Sequence, residues 1–239
     1  MNSTAPACVL ITGAAGVLGS AMTHAFLDAG WEVFAGHHRT PLGRTHARLH
    51  PIPLDVTRTP DWKAARDRIA RSAIPLRAVI HNAGVSAEGL VPRVSVDDWD
   101  EALRVMVTPI AVGSRLLLPL LKSADPAHIV LIGSHAARLA GAGQSAYAAA
   151  KAAVHGLAMS MAREFASTPI RVNVLLPGLL HSPLLDGIPA AERQRRIESN
   201  LLGKVNDPAE VARFAVFLTS TRQISGQVFA LDSRPVPWV

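Results

Sequence analysis

The fold is decided by one stretch near the start of the chain, Val9-Leu10-Ile11-Thr12-Gly13-Ala14-Ala15-Gly16-Val17-Leu18-Gly19. Its first three residues form a short apolar run that predicts a buried strand, and Thr12-Gly13 ends that run in a turn. Residues 17–29 have helical apolar spacing and stop at Gly30, and residues 31–35 again resemble a strand. The stretch therefore predicts a strand-helix-strand unit with a right-handed parallel crossover.

The same turn is a candidate phosphate-binding loop. Glycines let backbone N–H groups approach a pyrophosphate, and the N-terminus of the following helix offers further N–H groups and a positive dipole end. The alternative is a tight turn that binds nothing, which would need only one or two glycines. We assign to a dinucleotide the turn residues Thr12, Gly13, Gly16, Val17, Leu18 and Gly19.

The alternation of strand and helix patterns continues along the chain. Further strands are predicted at 51–54, 78–80, 128–132, 171–175 and 227–231, and further helices at 62–72, 96–122, 145–165 and 208–218. The helix at 96–122 should break or bend near Thr108-Pro109. Continuous Val/Ile/Leu strands separated by helices predict an α/β fold with a doubly wound parallel, Rossmann-like sheet, formed by one domain over residues 1–239.

Composition limits the function classes. With 239 residues and 49% hydrophobic content the chain can bury a large core, and its single cysteine, Cys8, fits a reducing compartment as an ordinary buried thiol. The start of the chain lacks a secretory pattern and no run of about 18 apolar residues is free of charge, so we expect a cytoplasmic protein without a membrane span. The net charge is +6, but the one basic cluster, 193–196, is flanked by glutamates and predicts a solvated helix face rather than a nucleic-acid site.

The end of the second strand indicates which nicotinamide cofactor would bind. A carboxylate at this position would bind the adenosine ribose of NAD, but the residues here are Gly36-His37-His38-Arg39. A 2′-phosphate could pair with Arg39, helped by His38, so NADP is favoured over NAD. Alternatively, Arg39 begins a solvated loop and both cofactors are tolerated. After the next strand comes Asp55-Val56, where Asp55 either accepts from the adenine amino group or caps the turn.

The catalytic candidates are Tyr147, Lys151 and Ser134. Tyr147 and Lys151 are four residues apart on a predicted helix, so they share one face. A nearby ammonium stabilises phenolate and lowers the pKa of a tyrosine, which makes it a usable acid or base near neutral pH. Ser134 follows a strand and could orient a substrate oxygen toward the phenol. The Y-x-x-x-K pattern alone is common on exposed helices; the glycine turn and Ser134 give it weight. No metal site is predicted.

These motifs together with Asn82-Ala83-Gly84 resemble the short-chain dehydrogenase/reductase family, in its single-domain form, over nearly the whole chain. The segments 132–134 and 144–147 are particularly similar to 3-oxoacyl-carrier-protein reductases. The resemblance implies that hydride passes between nicotinamide and substrate carbon while Tyr147 protonates or deprotonates the oxygen, and that Lys151 also holds the nicotinamide ribose. It further implies cofactor contacts by Asn82, Ala83 and Gly84 on the adenosine side, and by Pro177, Gly178 and Ser182 at the carboxamide end.

The chain departs from the family pattern at four places. Its glycine spacing, G-x-x-G-x-x-G, resembles a branch acting on nucleotide sugars, although the chain is too short for that branch's extra domain. His81 stands where an asparagine usually precedes Asn-Ala-Gly. Met106 replaces an asparagine that bends a helix and supports a water beside the lysine, which predicts a rewired or slower proton relay. Asp232-Ser233-Arg234 replaces Asp-Gly-Gly, and the altered tail suggests a changed dimer or tetramer interface.

Residues 179–203 lack a strand pattern and precede a short polar helix, so they are a candidate substrate lid or else a passive surface excursion. The leading hypothesis is an NADP-preferring ketoreductase for a small or medium, fairly apolar carbonyl compound. One alternative is a dehydratase, lyase or cyclase on the same scaffold that uses Tyr147 as acid or base. Another is a cofactor-sensing binding protein without catalysis.

Overall fold

A computed structural model describes residues 7–86, 89–181, 185, 187–188 and 190–235. Over these residues the chain forms a seven-stranded sheet of order β3-β2-β1-β4-β5-β6-β7, in which every neighbouring pair is parallel. The strands are β1 Cys8–Ile11, β2 Glu32–His37, β3 Leu49–Pro53, β4 Leu76–His81, β5 Ala127–Ile132, β6 Ile170–Leu176 and β7 Val228–Ala230. The predicted doubly wound, Rossmann-like fold is confirmed.

Helices cover both faces of this sheet. They are α1 Val17–Asp28, α2 Thr59–Arg71, α3 Val96–Met106, α4 Thr108–Lys122, α5 Ser145–Glu164, α6 Ala190–Glu198 and α7 Pro208–Leu218. The predicted break near Thr108-Pro109 lies at Val107, which has φ −116° and ψ −62° and separates α3 from α4. Pro109 stands in the first turn of α4, where its missing N–H removes no helical hydrogen bond.

Two apolar layers hold the helices against the sheet. Alternate residues of β1 enter different layers: Leu10 packs with α2, α4 and α5 around Trp62 and Leu117, whereas Ile11 packs with α1 and α7 around Phe26. Cys8 is fully buried in β1, and burial raises the pKa of its thiol to about 12, as expected of an inert core cysteine. The strands therefore bury side chains on both faces, which explains their continuous apolar sequences.

The helical stretch Val96–Lys122 is long and apolar enough to cross a membrane by length and composition, with a mean hydropathy of 1.5 over eighteen residues. It is the one such candidate among the described residues. Ile110, Leu117 and Leu121 of this stretch instead lie in the core against the sheet. Apolar residues of this stretch therefore form part of the protein core.

The topology places the site. The chain runs from β1 outward to β3 and then returns to form β4 on the other side of β1, so the connections leave the carboxyl ends of β1 and β4 in opposite directions. A crevice forms at this switch point, and ligands of such sheets bind there. The carboxyl ends of β5 and β6 continue the same edge and carry the remaining candidate residues.

Candidate active site

The glycine turn is locked to the end of β4. The buried Thr12 hydroxyl accepts from the backbone N–H groups of Asn82, at 2.9 Å, and Ala83, at 3.0 Å. In return, the Asn82 side-chain amide donates to the carbonyls of Thr12 and Gly13 at 3.0 and 3.1 Å. Gly13 has φ +63°, and a Cβ there would meet the backbone of Ala83. The hydrogen bonds of Thr12 and Asn82 therefore fix the conformation of the glycine turn.

The N-terminus of α1 fits a pyrophosphate. Gly16 is its N-cap and provides no side-chain cap, and the first turn of α1 contains no acidic residue. The first N–H groups of a helix have no partner within it, so the amides of Val17, Leu18 and Gly19 can donate to an anion here. A Cβ at Gly19 would collide with the Gly13 carbonyl and with Ala14, which explains why the turn needs glycine at this position.

The residues predicted to face the adenosine, His38, Arg39 and Asp55, lie beyond the carboxyl ends of β2 and β3. His38 and Arg39 are exposed just beyond β2, and His38 Nε2 lies 3.6 Å from Asp55 Oδ2. Asp55 Oδ1 accepts from the backbone and the hydroxyl of Thr57, at 2.9 and 2.8 Å, so this carboxylate caps its turn. Burial alone would raise the pKa of Asp55, but these hydrogen bonds lower it below its usual value. Val56 is buried beside it.

Tyr147, Lys151 and Ser134 meet at the ends of β5 and α5. The Lys151 Nζ lies 5.7 Å from the centroid of the Tyr147 ring, which confirms that they share one helix face. Lys151 Nζ also donates to the carbonyl of Ile132, the last residue of β5, at 2.7 Å. Ser134 follows two residues later, with an extended backbone, and its hydroxyl accepts from Ala136 N–H at 3.1 Å. One strand end thus positions both the amine and the serine.

The Lys151 side chain is buried. The residue is 5% exposed, and burial lowers the pKa of its amine to about 8. A small cavity of about 10 Å³ beside it is lined by Thr12, His81 and Met106 among others. Met106 is 2% exposed, and His81 Nε2 is 3.2 Å from the Ser114 hydroxyl while its ring packs on Trp62. A cavity of this size has room for about one water.

A buried polar chain links the serine loop to the end of the protein. His135, directly after Ser134, contacts Asp232 Oδ1 through Nε2 at 3.0 Å, and Arg234 Nε donates to Asp232 Oδ2 at 2.6 Å. The Asp232 side chain is only 2% exposed. Burial alone would raise the pKa of Asp232, but the hydrogen bonds from His135 and Arg234 lower it. Gly178, with φ +79°, packs so closely that a Cβ there would lie 2.5 Å from Asp232 Cβ.

A cavity of about 520 Å³ opens beside these residues. Ser134 and Tyr147 line it together with Pro177, Gly178 and residues of α6. The predicted lid contributes Leu179, Leu180 and Leu185 to the wall, while α6 has no buried residue. Ser182, which the sequence placed at the carboxamide end, lies outside the described residues, as do residues 183, 184, 186 and 189. No group of three or more His, Cys, Asp or Glu that could hold a metal occurs in the part of the chain that the structure describes.

A family model described as short chain dehydrogenase matches residues 7–193 of this chain. The chain belongs to this family. It is therefore an NAD(P)-dependent oxidoreductase that acts on the CH–OH/C=O pair.

The names of similar proteins refer to several different substrates. The 3-oxoacyl-[acyl-carrier-protein] reductase FabG of Thermotoga maritima is 29% identical over 233 residues, covering 93% of this chain and 95% of that protein. The cyclopentanol dehydrogenase of a Comamonas species is 30% identical over 224 residues, 89% of either chain. Among solved structures, the ligand-free aldohexose dehydrogenase of Thermoplasma acidophilum has a TM-score of 0.88 at 25% identity and covers 98% of this chain and 97% of its own.

The sequence patterns missed several residues of this short-chain dehydrogenase site. His135 and Asp232 touch across 97 positions of sequence, so no local pattern could pair them. Asn206 was also missed; its side chain donates to the carbonyls of Pro177 and Leu231 and joins the chain after β6 to the tail. Arg195 and Arg196 were interpreted only as a solvated helix face, yet both line the large cavity. The spacing of these two arginines on a polar helix does not indicate which side of the helix faces the cavity.

Proposed function

We propose that the protein is an NADP(H)-preferring ketoreductase that interconverts a carbonyl and a secondary alcohol. The observation that carries this proposal is the Lys151 Nζ, 5.7 Å from the ring centroid of Tyr147, beside a cavity that Ser134 also lines. A phenol, its cation and an orienting hydroxyl are the groups that proton transfer to a carbonyl oxygen requires.

Each residue has one role in this proposal. The Ser134 hydroxyl donates to the substrate oxygen and orients it toward Tyr147. The Tyr147 phenol gives its proton to that oxygen during reduction and takes it back during oxidation. The Lys151 ammonium favours the phenolate, because an adjacent positive charge stabilises the negative one and lowers the pKa of the phenol. When bound, the nicotinamide supplies or accepts the hydride.

The preference for NADP rests on charge. In the described residues no acidic side chain is in β2 after Glu32, and Arg39 is exposed just beyond the strand. Asp55, which caps its turn, also lies 3.6 Å from His38 through Oδ2 and Nε2. This contact holds the His38 side chain near Asp55. A 2′-phosphate would gain charge-assisted hydrogen bonds from Arg39 and would meet no carboxylate at the position where NAD needs one.

Spectrophotometry of purified protein tests the proposal. A panel of ketones is mixed with NADPH or NADH, and loss of reduced nicotinamide absorbance is followed. We expect turnover with NADPH, and a fall of about 10²–10⁴-fold in kcat for Tyr147→Phe with little change in NADPH affinity. The matched control is Ser123→Ala at the exposed end of α4, which also removes a hydroxyl and should keep full activity. Absence of nicotinamide oxidation with every ketone and both cofactors would refute the proposal.

A second candidate is a non-redox lyase, dehydratase or cyclase that uses Tyr147 as acid or base. It is favoured by the buried Met106, which cannot donate or accept a hydrogen bond as an amide would beside Lys151. Mass spectrometry of the product separates the two functions. A redox product differs from its substrate by two hydrogens alone, whereas an isomerised product has the same mass and a dehydrated product has lost one water.

For the assembled protein we propose a cytoplasmic homo-oligomer, either a dimer or a tetramer. Exposed apolar side chains on α7 and β7, Phe217 at 57% and Val228 at 43%, support a contact between copies. Light scattering after size-exclusion chromatography measures the mass directly, and a monomeric mass at micromolar concentration would contradict this assembly.

A further inference from the structure

The large cavity carries an unusual charge for a site expected to hold an apolar carbonyl compound. Among its described lining residues are three arginines, Arg195, Arg196 and Arg234, and one carboxylate, Glu192. A hydrogen bond from Arg196 lowers the pKa of Glu192, so this carboxylate stays ionised. Arg196 Nε lies 3.0 Å and Arg195 Nη2 3.5 Å from it, so both cavity-lining arginines of α6 contact this carboxylate.

Arg234 is the best-positioned of the three. Its Nε donates to Asp232 at 2.6 Å, and its side chain is 24% exposed. Asp232 is itself held by His135 Nε2 and accepts from the Arg234 backbone N–H. A guanidinium carries four more N–H donors on its terminal nitrogens, in a planar fork that matches a carboxylate or phosphate. The pair therefore fixes the Arg234 side chain before a ligand arrives.

The hydrogen-bonded chain of His135, Asp232 and Arg234 also connects this arginine to the loop of Ser134. His135 is the residue after Ser134, so the aspartate that orients Arg234 contacts the same loop that carries the orienting serine. Ser233 lies between Asp232 and Arg234 in the sequence. Its carbonyl accepts a hydrogen bond from the N–H of Leu201, in the segment after α6, at 3.0 Å. Arg234 and α6 are thus held to each other as well as to the serine loop.

Four leucines form an apolar part of the wall. Leu179, Leu180 and Leu185 come from the chain after β6, and Leu139 from the loop after β5. A ligand that matches this cavity has an apolar body and one negative end.

We propose that the substrate is an oxo or hydroxy compound with a compact anionic group, a carboxylate or a phosphate, bound by Arg234 with help from Arg195. This inference rests on the proposed ketoreductase function and specifies its substrate class. Arg234 determines specificity, while Asp232 and His135 position it. The leucines cover the carbon chain between the anion and the carbonyl that Ser134 and Tyr147 receive.

The experiment compares oxo acids with their methyl esters. Straight-chain acids with the carbonyl at different distances from the carboxylate are assayed with NADPH. We expect at least one acid to exceed its ester by about tenfold or more in kcat/KM, chiefly through KM, as for a charge-assisted hydrogen bond. In Arg234→Leu this ratio should fall to about one. Arg213→Leu, which removes an exposed arginine of α7 outside the cavity, is the control and should keep the wild-type ratio.

The possible outcomes are distinguishable. If wild-type protein reduces esters as well as or better than every acid, the anion site is wrong although the ketoreductase stands. If the acid preference persists in Arg234→Leu, Arg234 does not determine specificity, and if it persists also in Arg195→Leu/Arg234→Leu, neither assigned arginine binds the anion. Should Arg234→Leu not fold, Arg234→Gln takes its place.

A binding measurement tests the site without turnover. Hexanoate or hexyl phosphate should raise the Tm of the wild-type protein in the presence of NADPH, and hexanamide should not. The two anions tell a carboxylate site from a phosphate site. Equal shifts with hexanamide would overturn the inference, whereas failure of every ketone in the assay but selective binding of an anion would overturn only the proposed reaction.

Discussion

Lys151 places its amine 5.7 Å from the centre of the Tyr147 ring while donating to the carbonyl of Ile132 at 2.7 Å. The amine is thus anchored to the end of β5 and cannot leave the phenol without losing a buried hydrogen bond. This hydrogen bond keeps the amine beside the phenol.

The first prediction concerns the pKa of Tyr147, which is the only tyrosine in the chain. Ultraviolet absorbance of phenolate therefore reports on this residue alone. We expect the pKa of Tyr147 to lie below the usual value for tyrosine in the wild-type protein, because the ammonium stabilises phenolate, and to rise in Lys151→Met. The control is Lys122→Met at the end of α4, which should leave the titration unchanged. Identical titrations in wild type and Lys151→Met would contradict the role given to the amine.

The second prediction concerns the pH dependence of turnover. Burial lowers the pKa of Lys151 to about 8, so the amine is charged below that pH and neutral above it. We expect kcat/KM for carbonyl reduction to fall as pH rises through about 8, because the cation beside Tyr147 is lost. In Lys151→Arg the guanidinium stays charged, so this limb should vanish from the profile even if turnover is lower. A profile of unchanged shape in that variant would assign the limb to another group.

The third prediction concerns Met106. An amide at this position would face the small cavity that Lys151, Thr12 and His81 also line, and could hold a water there. We expect Met106→Asn to raise turnover or to shift its pH profile, since it restores a polar path to the buried amine. Met106→Leu, which introduces no hydrogen-bonding amide and has a similar volume, is the matched control. If Met106→Asn alters neither turnover nor its pH profile, Met106 does not limit proton transfer.

The fourth prediction concerns cofactor choice. Arg39 is exposed just beyond β2, and exchanging it for an acid would repel a 2′-phosphate while offering a carboxylate to ribose hydroxyls. We expect Arg39→Asp to change the ratio of kcat/KM for NADPH over NADH by about tenfold or more toward NADH. Arg44→Asp introduces the same charge change in the loop that follows and should have a smaller effect. Equal ratios in wild type and Arg39→Asp would show that both cofactors are tolerated.

The fifth prediction concerns acid stability. Burial lowers the pKa of His81 to about 3, so the unfolded chain takes up a proton at this residue that the folded chain does not. Stability is therefore lost as pH falls from the ordinary histidine value toward about 3. We expect the free energy of unfolding in urea to drop between about pH 7 and pH 4.5, with His81 contributing on the order of 2 kcal/mol of the drop.

The matching variant for this prediction is His81→Gln, which keeps a hydrogen-bonding side chain beside Ser114 but does not titrate. Its drop between the two pH values should be smaller than that of the wild type, and His24→Gln, on the exposed side of α1, should behave as the wild type does. His128, whose pKa burial lowers to about 4, continues to contribute in both variants. An unchanged drop in His81→Gln would show that His81 does not govern acid stability.

Much of the site could be predicted because its signals are local. The strand, glycine turn and helix of residues 9–29 follow one another in sequence, and Tyr147 and Lys151 are one helical turn apart, so backbone geometry alone brings each set together. The bend at Val107 likewise follows from the neighbouring Pro109. At Asp55 the local pattern predicted either an acceptor for the adenine amino group or a turn cap. The hydrogen bonds that Asp55 Oδ1 accepts from Thr57 show the cap, and the adenine contact stays a prediction.

The order of strands and helices, the glycine turn after β1 and the spacing of tyrosine and lysine were contained in the amino-acid sequence, since each depends on residues within a few turns of one another. Only the tertiary structure decided that His135 meets Asp232, that Thr12 holds Asn82, and that arginines of α6 and the tail surround the cavity beside Ser134. Such contacts join segments that are distant along the chain, and they exist because the parallel sheet brings the ends of β1, β4, β5 and β6 to one edge.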